Sequence, residues 1–365
     1  MTVLCAGALN SFAPASFPSP AAPGRAAGSL AARLPPAPAA MRFFARAGNP
    51  SLFRAPIADG EALPTESGEE AWLRERFSVT RPDTPAAAAG RMAGARAGTL
   101  ILRPVHLHAG LDHLVLDPPA HLGLSDEHAR ALFGAAAEWL AAEPITLRYL
   151  SPQWWEVTEA QPERTGFGNL SGASSARASG RNIDLWLPRG PSARAWRRLM
   201  NEVQMLWHTH PVNAEREAAG LKPVNALWFE GVAPGGLPHA FDVVASSDPV
   251  LIGLAHASAA TRLPSVVDSV PASFIPGQDA LLDAPFWREA AATGSGHTWE
   301  EGWRQFDQWF SSLIDQHGAK WWHGAELVLT GEASAHVLDL PRLPAWRVWR
   351  RRAPASWFVE QAQPA

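Results

Sequence analysis

The stretch NEVQMLWHTHPVNAEREAAGLKPVNALWFEG, Asn201 to Gly231, constrains the fold more than any other part of the chain. Its punctuation demands a helix, a corner, a second helix and a strand in quick succession. Pro211 has no amide donor and restricts the residue before it, so the helix expected over Ala193 to His208 must end there. Ser192 stands where an N-cap belongs. A short helix of about Ala214 to Ala219 follows, capped by Asn213, with Arg216 in its first turn and Gly220 at its close. Asn225 to Phe229 reads as a strand, and Trp228 lies on it. Helix N-termini carry free amides and a positive dipole end, which suits phosphate or carboxylate. His210, Asn213, Arg216, Asn225 and Trp228 therefore make a candidate ligand site. The same residues can equally serve to fix a tight helix–helix corner, and both readings stand at this point.

Elsewhere strands and helices alternate. Residues 1 to about 60, with APASFPSPAAP and ARLPPAPAA, are too rich in proline to propagate regular structure and read as a poorly ordered arm, with a short helix around Met41 to Ala47. SGEEAWLRERF reads as a helix with acidic residues in its first turn. A strand over Gly98 to His108 turns back through His113 to Leu116, and Ser125 caps a helix over Asp126 to Ala142. Further expected elements are strands at Ile145 to Leu150 and Phe241 to Ala245, then a helix from Asp248 to Ala260. Trp299 to His317 places Trp303, Phe306, Trp309, Phe310 and Leu313 on one helical stripe. Strands at Glu326 to Leu329 and Ala335 to Leu338 precede a basic, tryptophan-bearing segment, Trp346 to Arg352. This order predicts an α/β protein with a mixed or parallel sheet and helices on its faces.

Composition narrows the function classes. Hydrophobic residues at 47% and charged residues at 18% belong to a folded globular chain. No run of about 18 apolar residues supports a membrane span. A formal charge of −4 argues against nucleic acid as a partner. The single cysteine, Cys5, rules out an internal disulfide framework and any multi-cysteine metal site, and the cytoplasm is the expected compartment.

Two other groups could carry chemistry. His106 and His108 alternate on one strand and share a face, and with Asp112 they are weak candidates for a metal site, near Arg103 and His113. Arg181, Asn182, Asp184 and Arg189 follow a Gly/Ser-rich loop, where arginine forks could clamp an anion. Local pairing of Asp184 with an arginine is the alternative.

HPVNAEREAAGLKPVNALWFEG resembles the H-P-V-N-x-x-R-x-x-G-x-x-P-x-N-x-x-W-x-x-G block of archaeal-type cofactor-independent phosphoglycerate mutases. DLWLPRGPSARAWRRLMNEVQML, LILRPVHLHAGLDHLVLD and GSGHTWEEGWRQFDQWFSSLI are similar to flanking stretches of that family, the last around a metal-binding histidine matched by His297. With its tryptophan-rich ending, the pattern is closest to bacterial proteins of the RpfE-type regulatory family. The resemblance implies an alkaline-phosphatase-like, phosphoglycerate-mutase-like mixed sheet with helices on both faces and a degenerate N-terminal part. It implies an arm over 1–60, the α/β region over 61–352, with 98–245 resembling the mutases' inserted substrate domain, and a tail over 353–365.

Enzymes of that family transfer phosphate through a serine lying between two divalent metals. Their Asp-Gly motif after a first strand has no counterpart in LNSFAPASFPSPAAPG, and Asp59-Gly60 follows no apolar strand. Ser67-Gly68-Glu69 is a poor match to the nucleophile, AATGSGH carries no carboxylate before His297, and the late Asp-His motif is missing. The resemblance thus implies a regulatory or binding protein, catalytically degenerate, with an anion-binding cleft for a small phosphorylated or carboxylated ligand at His210, Asn213, Arg216, Asn225, Trp228, Arg103, Arg181 and Asp184. No cofactor is expected on that reading. An active mutase or metal-dependent phosphohydrolase, with divalent metal at His106, His108 or His297, is the enzymatic alternative. A third reading makes Trp346, Trp349 and Arg350 to Arg352 a docking segment for an unidentified protein partner.

Overall fold

Thr2, Val3, Leu4 and Cys5 are uncharged and compact, and they form strand β1 (Thr2–Cys5), buried along its whole length. A computed structural model describes residues 1–9, 37, 47, 51–57, 63–110, 112–265, 278–318 and 324–339. In it β1 is the central strand of a seven-stranded sheet. The other members are β2 (Ser51–Arg54), β9 (Val243–Ala245), β10 (Thr261–Leu263), β11 (Ala280–Asp283), β12 (Glu326–Thr330) and β13 (Ser334–Asp339). Their order is β10-β9-β11-β1-β12-β13-β2. The first five in that order are mutually parallel, β13 runs antiparallel to β12, and β2 runs antiparallel to β13.

The arm expected over residues 1–60 is corrected at both its ends, because Thr2–Cys5 is the sheet's centre and Ser51–Arg54 an edge strand. A parallel strand covered on both faces shows no alternation, so four apolar-compatible residues give little periodic signal. Most of the segment between those strands lies outside the described residues, as do all but Ala47 of the helix expected around Met41 to Ala47, Asp59-Gly60 and everything from 340 onward, including Trp346 to Arg352.

Both faces of this sheet carry helices. Val3 and Cys5 pack with Trp299, Trp303, Phe306 and Phe310 of a long helix. Leu4, Leu281 and Val328 point the other way, onto Trp72 and Leu73 and onto Leu251 and Leu254. The helices are α1 (Gly68–Arg76), α2 (Ala88–Met92), α3 (Asp126–Leu140), α4 (Ser175–Ala178), α5 (Ala193–His208), α6 (Pro211–Ala218), α7 (Pro249–Ala257), α8 (Arg288–Thr293) and α9 (Gly296–His317). Short helical turns also occur at Pro119–His121, Pro162–Thr165, Phe167–Asn169, Ile183–Leu185 and Pro285–Trp287.

A second sheet has its own core. It joins β3 (Leu100–Val105), β6 (Ile145–Ser151), β7 (Trp154–Glu159) and β8 (Ala226–Val232) antiparallel in the order β6-β7-β3-β8. Leu102, Trp155, Leu227 and Phe229 pack against Leu132 and Ala136 of α3 and against Trp196, Val203 and Trp207 of α5. The hairpin expected after His108 is present as β4 (Leu107–Ala109) and β5 (Leu114–Leu116). Ser125 caps α3 as expected, its hydroxyl accepting from the His128 amide at 3.2 Å. Ser192 makes no such bond to α5. No helix among the described residues is long and apolar enough to cross a membrane.

Candidate functional site

The Asn201–Gly231 corner is held together from within. His210, not Asn213, is the N-cap of α6, its Nδ1 accepting from the Val212 amide at 3.3 Å, and Pro211 takes the first helical position. The expected Asn213 cap is corrected by one turn geometry. A proline at the first position starts the helix before residue 213. Asn213 is buried; its Nδ2 donates to the carbonyls of Trp207 and Val224 at 2.8 Å each, and its Oδ1 accepts from the Val224 amide at 2.8 Å. Arg216 is fully buried and donates to the carbonyls of Lys222, Gly123 and Leu122 at 2.9, 3.2 and 2.5 Å. Asn225 brackets Leu107 through both its backbone groups, and the Trp228 indole donates to the Ala173 carbonyl at 2.9 Å. These side chains satisfy buried backbone groups, which is what the corner reading requires.

The histidine group divides. His106 Nδ1 lies 2.7 Å from the Pro223 carbonyl, His108 Nδ1 lies 2.7 Å from Asp117, and Asp112 faces His113 at 2.5 Å. Lys222 also pairs with Asp117. His297 is exposed in the first turn of α9. Among the described residues no group of three or more His, Cys, Asp or Glu side chains is arranged to hold a metal ion. Arg181 donates to Glu332 at 3.1 Å and to the Arg177 carbonyl at 2.8 Å. Asp184 is exposed, Asn182 Oδ1 accepts from its amide at 2.9 Å, and Arg189 is exposed and reaches the Leu185 carbonyl at 3.4 Å.

A different constellation lies where the parallel strands end. Asp283 closes β11 and is completely buried; the Ser246 hydroxyl, just beyond β9, donates to it at 2.7 Å. Asp248 caps α7 through Oδ1, and Glu69 stands in the first turn of α1. The guanidinium of Arg288 reaches Asp283 at 3.0 Å, Glu69 at 3.0 Å and Asp248 at 3.4 Å. Burial alone would lower the Arg288 pKa, but the three carboxylates outweigh it and hold the guanidinium well above its usual range. Burial pushes Glu69 up to about 7, against the pull of Arg288 and helped by Asp248 and Asp283. Burial also raises Asp283. Sequence reasoning missed this group. Its one local signal was a carboxylate at the carboxyl end of the apolar run ALLD, the edge where open α/β sheets bind ligands.

Beside it, a cleft of about 390 Å³ opens between the two sheets' bodies. Thr65, Glu66, Glu70, Arg81, Thr84, Asn169, Ser171, Ser174 and Glu230 are among its lining residues. The Glu70 carboxylate accepts from the Ser67 amide at 2.7 Å while the Ser67 hydroxyl accepts from the Glu70 amide at 3.1 Å, a reciprocal cap of α1. Ser67, the nearest match to a nucleophile, is thereby a helix cap. Glu230 is 5% exposed; one of its oxygens accepts from the Ser175 amide at 3.1 Å, and the other is buried with no hydrogen-bond partner. Behind it Arg103 stacks on Trp154, with its Cζ 4.5 Å from the ring centre, and donates to Ser175 and Gln153. Burial lowers the Arg103 pKa, opposed by the charges of Glu230 and Asp248.

No protein-family model matches the chain, and no curated protein matches it. Similar solved structures include the PH0037 protein from Pyrococcus horikoshii, 11% identical with a TM-score of 0.49, over 93% of this chain and 86% of that one. They also include a cofactor-independent phosphoglycerate mutase from Thermoplasma acidophilum, 15% identical with a TM-score of 0.38, over 93% of this chain and 89% of that one.

Proposed function

We propose that this chain is a non-catalytic, ligand-binding relative of the cofactor-independent phosphoglycerate mutases, with a regulatory rather than a metabolic role. The observation that carries the reading is Arg288, whose guanidinium engages Asp283, Glu69 and Asp248 together. A two-metal phosphoryl transfer site needs carboxylates and histidines open to cations that clamp the attacking and leaving oxygens. The donor set at the strand ends does not fit that pair. A covalently attached cation already sits among the carboxylates, Asp248 has one oxygen committed to the amides of Val250 and Leu251, and the turn after β1 is Ala6-Gly7, without a carboxylate. Cys5 is buried, and burial raises its thiol pKa well above the ordinary value, so no thiolate replaces the serine.

The test is direct. Purified protein assayed with manganese, cobalt or zinc should not interconvert 2- and 3-phosphoglycerate or hydrolyse phosphate monoesters, and calorimetric titration should detect no pair of tightly bound divalent ions. Metal-dependent turnover abolished by Asp283→Asn would overturn the proposal.

A further inference from the structure

Glu70 and Glu230 both line the cleft, one on α1 and the other on β8. Neither has an ion-pair partner among the described residues. Glu70 is held by the amide of Ser67 and the hydroxyl of Ser174, and Glu230 by the amide of Ser175. They are close enough for Glu70 to raise the pKa of Glu230, and burial raises both. A third carboxylate, Glu66, lines the same space; Arg74 binds one of its oxygens at 2.7 Å, and the other is buried with no hydrogen-bond partner. The nearby cations are Arg81, exposed at the mouth, and Arg103, which stacks on Trp154 and opposes the rise in the Glu230 pKa without forming an ion pair with it. Two buried acceptor oxygens without hydrogen-bond partners thus belong to residues that line this cleft, Glu66 and Glu230. Leaving such atoms unanswered costs roughly 1–3 kcal/mol each.

We propose that this cleft binds a small organic ligand through a primary ammonium group seated between Glu70 and Glu230, with neighbouring hydroxyls as secondary partners. An ammonium group offers three donors and one positive charge, matching two carboxylates that repel each other, of which Glu230 keeps one oxygen without a partner. The space favours an organic molecule over a bare ion: about 390 Å³ falls within the range of roughly 300–1,000 Å³ typical of small-molecule sites. This replaces the anionic ligand expected at the Asn201–Gly231 corner with a cationic one at a different place. It rests on the ligand-binding reading above and adds the chemical class of the ligand.

Thermal denaturation of the full chain at constant ionic strength tests it, with putrescine, glucosamine and γ-aminobutyrate at 10 mM as probes on the order of a weak small-molecule Kd. At least one amine should raise the Tm by about 2 °C or more. Glu230→Gln and Glu70→Gln should each weaken the apparent affinity about tenfold, as expected for loss of a charge-assisted bond. Glutamine can preserve the helix cap at position 70, and Glu143→Gln, on the surface beside Arg198, should leave the shift unchanged. Stabilisation by none of the amines, or an amine shift untouched in both cleft variants, overturns the inference. So does stabilisation by 3-phosphoglycerate alone. Metal-dependent turnover would instead overturn the non-catalytic reading and leave amine binding to stand or fall on its own shift.

Discussion

Arg288 and Arg216 show how differently two buried guanidinium groups behave. Arg216 meets only carbonyls, and burial lowers its pKa with no carboxylate to oppose the shift. Arg288 meets three acids and leaves them with an excess of negative charge. That excess gives a pH signature. Glu69 has a folded-state pKa of about 7 against an ordinary 4.5, so its contribution to stability is full below about pH 4.5 and is lost as pH rises through 7. His106 acts with the opposite sign, because burial lowers its pKa below 6.5 and the folded state gains as pH rises through that value. The difference between wild type and Glu69→Gln isolates the carboxylate. From pH 5 to pH 8 the wild-type Tm should fall relative to that of the variant, and parallel curves in thermal melts would refute the assignment. The residues of the Asn201–Gly231 block were legible as a group. Their task was not, since a sequence does not reveal whether an arginine's donors face a carbonyl or open space.

At the scale of elements, the capped helices and the amphipathic stripe of α9 were readable because their signals are local. Ser67, Ser125 and Asp248 each stand where the first amide donors need them. The strands β1, β2, β7, β10 and β11 were not foreseen; most are short, and β1 and β2 pair with residues far away in the chain. Close approach between helices is similarly invisible in one sequence. Gly253 of α7 lies against α2, where an added Cβ would stand 1.7 Å from the Ala88 carbonyl oxygen. Gly134 of α3 has open space around the same position. Gly253→Ala should therefore destabilise the protein by about 1–3 kcal/mol or more through overpacking. Gly134→Ala should stabilise it by roughly 0.5–1 kcal/mol through helix propensity. Urea unfolding of the two variants measures both, and equal effects would contradict the packing described.

For the whole molecule, the mixed α/β class followed from the alternation of strands and helices, and the larger sheet indeed carries helices on both faces. The sheet's centre escaped notice because proline-rich sequence follows it closely. Leu4 is wholly buried there, between β11 and β12. Leu4→Asp places an unpaired charge in that layer and should cost about 4 kcal/mol or more. Near-UV circular dichroism should show the tertiary signal lost or its midpoint sharply lowered; an unchanged midpoint would mean that β1 is not integral to the sheet. The position of β1 also orders events during synthesis. Its hydrogen-bonding neighbours are residues 281–283 and 326–329, so β1 must wait for segments synthesised far later before either edge can be paired. The antiparallel body between residues 100 and 232 contains its own partners and can close first. Until then, a short apolar strand remains exposed, and shielding it falls to chaperones or to speed of translation.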